Sequence, residues 1–140
     1  MARALIVDDD SSFGRGLADI LRLEGFVTVT TSSVREARRE FETGTVDIAF
    51  VDERLADGSG LELLPGPDAP TVIVTDRPSL ALADEVLSLG ARDCLAKPVD
   101  RVRVRMTLAS LARERRMQEE IGRLRTRLAA LESRGLRESD

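Results

Sequence analysis

The stretch Leu5-Ile6-Val7-Asp8-Asp9 decides the fold, because a short apolar run ends in two adjacent carboxylates. A second run, Ile48-Ala49-Phe50-Val51, also ends in a carboxylate, Asp52, whereas a third run, Cys94-Leu95-Ala96, ends in Lys97-Pro98. Apolar runs of this length, bounded by polar residues, predict buried strands of a parallel sheet. Open parallel sheets bind ligands at the carboxyl ends of their strands. The sequence therefore predicts that three acids and one lysine meet at one edge of a sheet.

This set of charges predicts a particular chemistry. Three neighbouring carboxylates repel one another unless a divalent cation is shared among them. The ammonium group of Lys97 would then be available to a further negative charge, such as a phosphoryl group.

Length and composition exclude several classes of protein. The chain has 140 residues, of which 42% are apolar and 33% charged, which fits one globular domain. No apolar run approaches the roughly 20 residues needed to cross a bilayer, so we expect no membrane partner. Because Met1-Ala2-Arg3 leads directly into a predicted strand, we also expect no signal peptide and a cytoplasmic location. With no histidine and a single cysteine, Cys94, neither a disulfide, a conventional zinc site nor a Ser-His-Asp triad is available.

Alternating strand and helix patterns predict the architecture. Strand-like runs recur at 3–8, 26–30, 46–51, 71–74 and 93–96, separated by segments with apolar residues three to four apart. The third intervening segment stops at Pro65-Gly66-Pro67, so its helix is expected to have only one or two turns. Five such repeats predict an α/β doubly wound parallel sheet with right-handed crossovers.

The C-terminal segment has a different character. Residues 1–100 have a net charge of −9 and residues 101–140 a net charge of +5. From Asp100 to about Arg134 the pattern predicts one long helix, whose second part has a heptad seam made by Met117, Ile121, Leu124, Leu128 and Leu131. We expect the first part to pack on the sheet and the second part to form a parallel dimer; a lone solvated helix or linker is the alternative.

Together these residues carry a resemblance. The segments concerned are Val7-Asp8-Asp9-Asp10, Val51-Asp52, Asp57-Gly58-Ser59-Gly60, Val74-Thr75 and Ala96-Lys97-Pro98. In this order at strand ends, they resemble the receiver domain of two-component response regulators over roughly residues 1–120. The resemblance implies a flavodoxin-like fold with strand order 2-1-3-4-5. On this basis we expect a receiver domain at 1–112, a coiled-coil extension at 113–134 and a linker at 135–140.

The resemblance also implies the role of each site residue. Asp52 would be the phosphoacceptor for a sensor histidine kinase, so the chain would accept phosphoryl groups without being a turnover enzyme. Asp8, Asp9, Asp52 and the backbone carbonyl of Arg54 would hold Mg²⁺. Thr75 and Lys97 would bind the phosphoryl oxygens, and Pro98 would follow a cis peptide that directs Lys97 inward.

Some residues depart from the family's pattern or allow simpler interpretations. Cys94 stands where the family usually has an aromatic switch residue, and we expect a core thiol there rather than a redox sensor. Ala56 replaces a common proline in the loop after Asp52. The simpler interpretation of Asp10 is a cap of the first helix, and that of Asp57-Gly58-Ser59-Gly60 is a turn before a helix.

The helical tail extends the resemblance. A receiver followed by a basic heptad helix is similar to the N-terminal part of sigma-54-dependent transcription activators resembling nitrogen regulatory protein C. We therefore expect a homodimer joined through this helix and an output domain missing from the chain. A stand-alone receiver that acts by protein contact is the rival.

Two hypotheses come from other classes of protein. A Mg²⁺-dependent aspartyl phosphohydrolase would normally have a second acid two residues after the nucleophile, where this chain has Arg54. Direct DNA binding by the arginine-rich tail is not expected, because glutamates such as Glu119 and Glu120 alternate with the arginines and favour interhelical ion pairs.

Overall fold

A computed structural model describes residues 2–66 and 68–138 of the chain. In chain order the elements are β1 (Arg3–Val7), α1 (Ser11–Leu23), β2 (Val27–Thr31), α2 (Val34–Glu42), β3 (Ile48–Asp52), β4 (Arg54–Leu55), β5 (Gly58–Ser59), a 3₁₀ helix (Gly60–Leu63), β6 (Thr71–Thr75), α3 (Leu80–Ser88), β7 (Asp93–Ala96) and α4 (Arg101–Glu138). The residues outside this description are Met1, Pro67, Ser139 and Asp140. They belong to the predictions for the N-terminus, the proline-rich break and the linker.

The main sheet has five parallel strands in the order β2-β1-β3-β6-β7. Strands β4 and β5 form a separate two-stranded antiparallel pair just after β3. When this pair is set aside, the order is the predicted 2-1-3-4-5. The flavodoxin-like doubly wound architecture and the long C-terminal helix are therefore confirmed.

The central strands β1, β3 and β6 are mostly apolar on both faces because helices cover both sides, whereas the edge strand β2 alternates valine with threonine and is partly exposed. In β1 the residues Ala4–Val7 are fully buried, and in β6 all five residues are buried. The largest fully buried side chain is that of Phe50 in β3. Burial of the central strands fixes their carboxyl ends, where the polar residues emerge.

Local sequence signals set the helix ends. Ser33 and Ser79 cap α2 and α3 by accepting hydrogen bonds from backbone amides three residues later. Helix α1 begins at Ser11, and its cap is Asp10. The third helix, predicted to have one or two turns, is the 3₁₀ segment Gly60–Leu63. A capping box between Ser59 and Glu62 stabilises its N-terminus.

Helix α4 is continuous over Arg101–Glu138, four residues beyond the predicted end near Arg134. Contacts divide the chain into two compact units, with the division after Thr107. In the first unit, Val104 and Thr107 of α4 are buried. The predicted boundary after residue 112 stays a prediction. Among the described residues, no helix is both long and apolar enough to cross a membrane.

Candidate functional site

Three carboxylates come together at the carboxyl ends of β1 and β3. Ligand oxygens of Asp8, Asp9 and Asp52 all lie within 4.8 Å of one another. Asp8 is buried, Asp52 is half-buried and Asp9 is exposed, so the cluster opens to solvent on one side. Pairing of β1 with β3 brings Val7 opposite Val51 and so sets the two strand ends side by side.

Lys97 closes the cluster from the end of β7. Its Nζ atom lies 2.8 Å from Asp8 Oδ2 and 3.4 Å from Asp52 Oδ2. The same Nζ is 4.3 Å from the ring centroid of Phe13, in the first turn of α1, a cation–π distance. The Lys97–Pro98 peptide is cis, as predicted. The structure thus brings the predicted lysine to the predicted acids.

The surroundings of these groups change their protonation. Burial and the nearby charge of Asp8 raise the pKa of Asp52 to about 6, although Lys97 acts in the opposite direction. Burial alone would lower the pKa of Lys97, but the carboxylates of Asp8 and Asp52 outweigh it and raise the pKa. At neutral pH the lysine is therefore a cation, and Asp52 is mostly an anion.

The donor set fits a hard divalent cation. Asp8 Oδ1 accepts a hydrogen bond from the backbone amide of Asp10 at 2.8 Å. Asp8 Oδ2 is buried and has no hydrogen-bond partner among the described residues. Its contact with the Lys97 ammonium is an ion pair whose geometry is not that of a hydrogen bond. Carboxylate oxygens are the ligands that Mg²⁺ and Ca²⁺ prefer. A buried oxygen of this kind, beside two further carboxylates, suits such an ion.

The segment after Asp52 is held close to the acceptor strand. The Gly60 amide donates to the carbonyl of Glu53 at 2.9 Å, and the Glu53 amide donates to the carbonyl of Val74 at 2.9 Å. A Cβ atom at Gly60 would collide with the backbone carbonyl oxygen of Asp52. Glycine is therefore required here by the close approach of two backbones. The Arg54 carbonyl stays a predicted ligand, while the Arg54 amide helps to stabilise the Asp52 carboxylate.

Thr75 lies at the carboxyl end of β6, between the strands that carry Asp52 and Lys97. Asp52 pairs with Val74, and Thr75 pairs with Ala96. The Thr75 hydroxyl is buried and donates to Glu53 Oε2 at 2.6 Å. The residue thus occupies the predicted strand end, with a partner that the sequence did not suggest.

Two acidic residues near the site have structural roles. Asp10 Oδ1 accepts hydrogen bonds from the amides of Ser12 and Phe13, which confirms Asp10 as a helix cap. Asp57 accepts from the amides of Val34 and Arg35 and so ties the turn after β4 to the start of α2. The turn 57–60 holds the acceptor loop and does not join the carboxylate cluster.

Cys94 is half-buried and packs against the hydrophobic core. Burial raises the pKa of its thiol, and the charges of Asp93 and Glu53 raise it further. A thiol that stays protonated is a poor nucleophile. Cys94 thus lies half-buried at the edge of the core, and its role as a core thiol rather than a redox sensor stays a prediction.

The fold and this edge of the sheet together define a class of protein. Residues 4–109 match the response regulator receiver domain family, and the chain belongs to it. The chain is 38% identical over 101 residues to the acid tolerance regulatory protein ActR of Rhizobium meliloti, which covers 69% of this chain and 52% of ActR. It is 32% identical over 143 residues to the alginate biosynthesis transcriptional regulatory protein AlgB of Pseudomonas aeruginosa, which covers 99% of this chain and 30% of AlgB. The chain thus spans about half of ActR and under a third of AlgB.

The chain also resembles a solved structure. The chain is similar to a response regulator protein from Burkholderia pseudomallei that contains a phosphorylated aspartic acid, a calcium ion and citrate. The TM-score is 0.72 at 27% sequence identity, and the match covers 85% of this chain and 73% of that one.

Sequence reasoning missed two residues of the site. From the sequence alone, no role is assigned to Phe13 or to Glu53. Position offered a signal in both cases, because Glu53 directly follows Asp52 and Phe13 lies in the first turn after the acid cluster. Composition also singles out the predicted Lys97, because it is the only lysine in the chain.

Proposed function

We propose that Asp52 accepts a phosphoryl group from the phosphohistidine of a sensor kinase, and that this modification controls the output of a two-component response regulator. The observation that carries the proposal is the ion-paired cluster of Asp8, Asp52 and Lys97 at the ends of β1, β3 and β7. Family membership and the phosphorylated aspartic acid of the Burkholderia pseudomallei relative support it.

The reaction needs an ionised Asp52. A carboxylate oxygen of Asp52 forms a bond to phosphorus while the phosphorus–nitrogen bond of the donor breaks, and the donor imidazole leaves with the bonding electron pair. Because the pKa of Asp52 is about 6, this carboxylate is mainly the nucleophilic anion at pH 7 and above. Half-burial of Asp52 limits competition from water.

Asp8, Asp9, Asp52 and the Arg54 carbonyl are the residues that would hold Mg²⁺. When bound, Mg²⁺ offsets the repulsion between the attacking carboxylate and the anionic phosphoryl group. Lys97 already lies within ion-pair distance of the Asp52 carboxylate, so its ammonium group can form an ion pair with a phosphoryl oxygen once Asp52 is phosphorylated. Phe13 packs against the ammonium group and helps to orient it.

The second unit has the features of a dimerising helix. The five seam residues are 58%, 39%, 53%, 56% and 55% exposed at Met117, Ile121, Leu124, Leu128 and Leu131. An apolar stripe at heptad spacing fits a second copy of the same helix, in which each seam residue covers another. Flanking ion pairs, such as Arg123 with Glu120, leave the stripe free of charge.

The whole protein is proposed to be longer than this chain. Alignment with AlgB runs through the helix and covers under a third of AlgB. A receiver that dimerises through such a helix fits the N-terminal part of a sigma-54-dependent activator, with its output domain beyond the chain. A stand-alone receiver is the rival form.

The test is phosphorylation in vitro. The protein is incubated with Mg²⁺ and acetyl phosphate and analysed by intact mass, with Asp52→Asn as the variant and Asp84→Asn, at an exposed position on α3, as the matched control. We expect a single acid-stable, base-labile phosphoryl group in the wild type and in Asp84→Asn, and none in Asp52→Asn. Phosphorylation that persists in Asp52→Asn would show that another residue is the acceptor. Continued release of phosphate with many turnovers would favour a phosphohydrolase.

A further inference from the structure

The hydroxyl of Thr75 already has two partners. It donates to Glu53 Oε2 at 2.6 Å and accepts from the backbone amide of Arg77 at 2.9 Å. Thr75 is 0% exposed, so no water competes for this hydrogen bond. The contact joins the residue after the acceptor aspartate to the end of the neighbouring strand.

A hydroxyl group has one hydrogen and can donate it to one acceptor at a time in good geometry. While Thr75 donates to Glu53, it cannot donate to a phosphoryl oxygen on Asp52. The backbone of Glu53 is held on both sides, because its amide donates a hydrogen bond to the Val74 carbonyl and its carbonyl accepts one from the Gly60 amide. Exchange of partners therefore leaves the Glu53 carboxylate without this donor, and the Glu53 side chain can move while its backbone stays in place.

Charge also favours movement of Glu53. A phosphoryl group on Asp52 brings about two negative charges next to an existing carboxylate. Arg54 offers an alternative partner, because its Nε atom already lies 4.0 Å from Glu53 Oε1 and its side chain is 64% exposed. At the usual switch position Cys94 has no ring to swing, so the side chain that must move with Thr75 is that of Glu53.

We propose that Glu53 is a positioning residue that holds the Thr75 hydroxyl in the unphosphorylated state and releases it when Asp52 is phosphorylated. The Glu53 carboxylate then turns toward Arg54 and solvent, so its position reports the state of the site. This inference rests on the proposed function of Asp52. It assigns to Glu53 the conformational change that the family's aromatic residue would otherwise make.

The test compares Glu53→Leu, which has no acceptor, with Glu53→Gln, which keeps a neutral one. Binding of beryllofluoride with excess Mg²⁺ is measured by isothermal titration calorimetry. Because removal of a competing state raises apparent affinity, we expect Glu53→Leu to bind about 3- to 10-fold more tightly than the wild type. Glu53→Gln should gain less. The control is Glu85→Gln, an exposed carboxylate on α3, and it should leave the affinity unchanged.

A double-mutant cycle separates the hydrogen bond from a general charge effect. In a Thr75→Ala background the gain from Glu53→Leu should disappear, because there is no hydroxyl to release. A gain that survives in this background, or an equal gain in Glu53→Gln, would overturn the proposal. Weaker binding by Glu53→Leu would overturn it as well.

Nuclear magnetic resonance of the unphosphorylated protein gives an independent measurement. The Arg77 amide hydrogen-bonds to Thr75 Oγ1, so its chemical shift reports the hydroxyl. We expect the Arg77 resonance in Glu53→Leu to move toward its position in the beryllofluoride-bound wild type, and an unchanged resonance would contradict the proposal. If the wild type takes up neither beryllofluoride nor a phosphoryl group, the proposed function fails. If the wild type takes up both and Glu53→Leu behaves like it, only the inference on Glu53 fails.

Discussion

The two parts of helix α4 have the same local structure but use their apolar residues differently. Val104, in the first part, is completely buried within its own domain, whereas Leu124, in the second part, is 53% exposed. Both positions belong to regular apolar spacings. Periodicity therefore identifies which face of a helix is apolar, but the surrounding structure decides whether that face is covered by its own chain or left for a partner.

Charges in the seam should produce the largest effect. We expect Ile121→Glu combined with Leu128→Glu to weaken self-association at least about 100-fold, or roughly 3 kcal/mol, since two carboxylates per helix would be buried in the dimer. Analytical ultracentrifugation would measure this. Thr126→Glu with Ala129→Glu adds the same charge on the opposite face and should leave the dimer intact. Phosphorylation of Asp52 should be unaffected in both variants. A wild type that stays monomeric at high concentration would contradict the coiled coil.

The same substitution should have opposite signs in the two units. Gly60→Ala should destabilise the receiver by about 2 kcal/mol, because the added Cβ meets the Asp52 carbonyl. Gly122→Ala meets nothing within 4 Å in α4 and should stabilise the helix by about 0.5–1 kcal/mol. Thermal melts, with hydrogen exchange of each segment, would measure both. Equal effects at the two positions would contradict the close approach at Gly60.

The smallest effect concerns the bonds between β7 and the start of α4. Burial alone would raise the pKa of Asp93, but hydrogen bonds from Arg103 and Thr107 outweigh it, so the pKa lies below its usual value of 3.8. Because the folded-state pKa is depressed, the stabilisation is present above about pH 4 and is lost as the pH falls through the folded value.

We therefore expect Asp93→Asn to cost less than about 1 kcal/mol at pH 7, after allowance for solvent screening, and less at pH 2 than at pH 7. Urea denaturation at both pH values would measure the difference. Asp84→Asn, at an exposed position on α3, is the control and should show no such change with pH. A cost for Asp93→Asn that is independent of pH would contradict the assignment.

Local sequence signals predicted most of the fold. Apolar runs predicted the central strands β1, β3 and β6, because a strand covered on both faces is apolar nearly throughout, and alternation of valine with threonine marks the edge strand β2. The starts of α2 and α3 are also local features, because each depends on one capping serine, Ser33 or Ser79, and the amide three residues later. The apolar pattern was less reliable for burial: Leu23 and Leu80 lie at the predicted spacing but are 65% and 86% exposed.

The sequence by itself determined which residues could form the site, because Asp8, Asp52 and Lys97 end apolar strands and parallel strands end at one edge. It also determined the heptad seam, which is a matter of spacing along one helix. Only the tertiary structure decided the partners of these groups: Phe13 beside Lys97, Gly60 against Asp52, and Glu53 on the Thr75 hydroxyl. The physical reason is that such contacts depend on strand register and side-chain direction across separate elements, which no local pattern records.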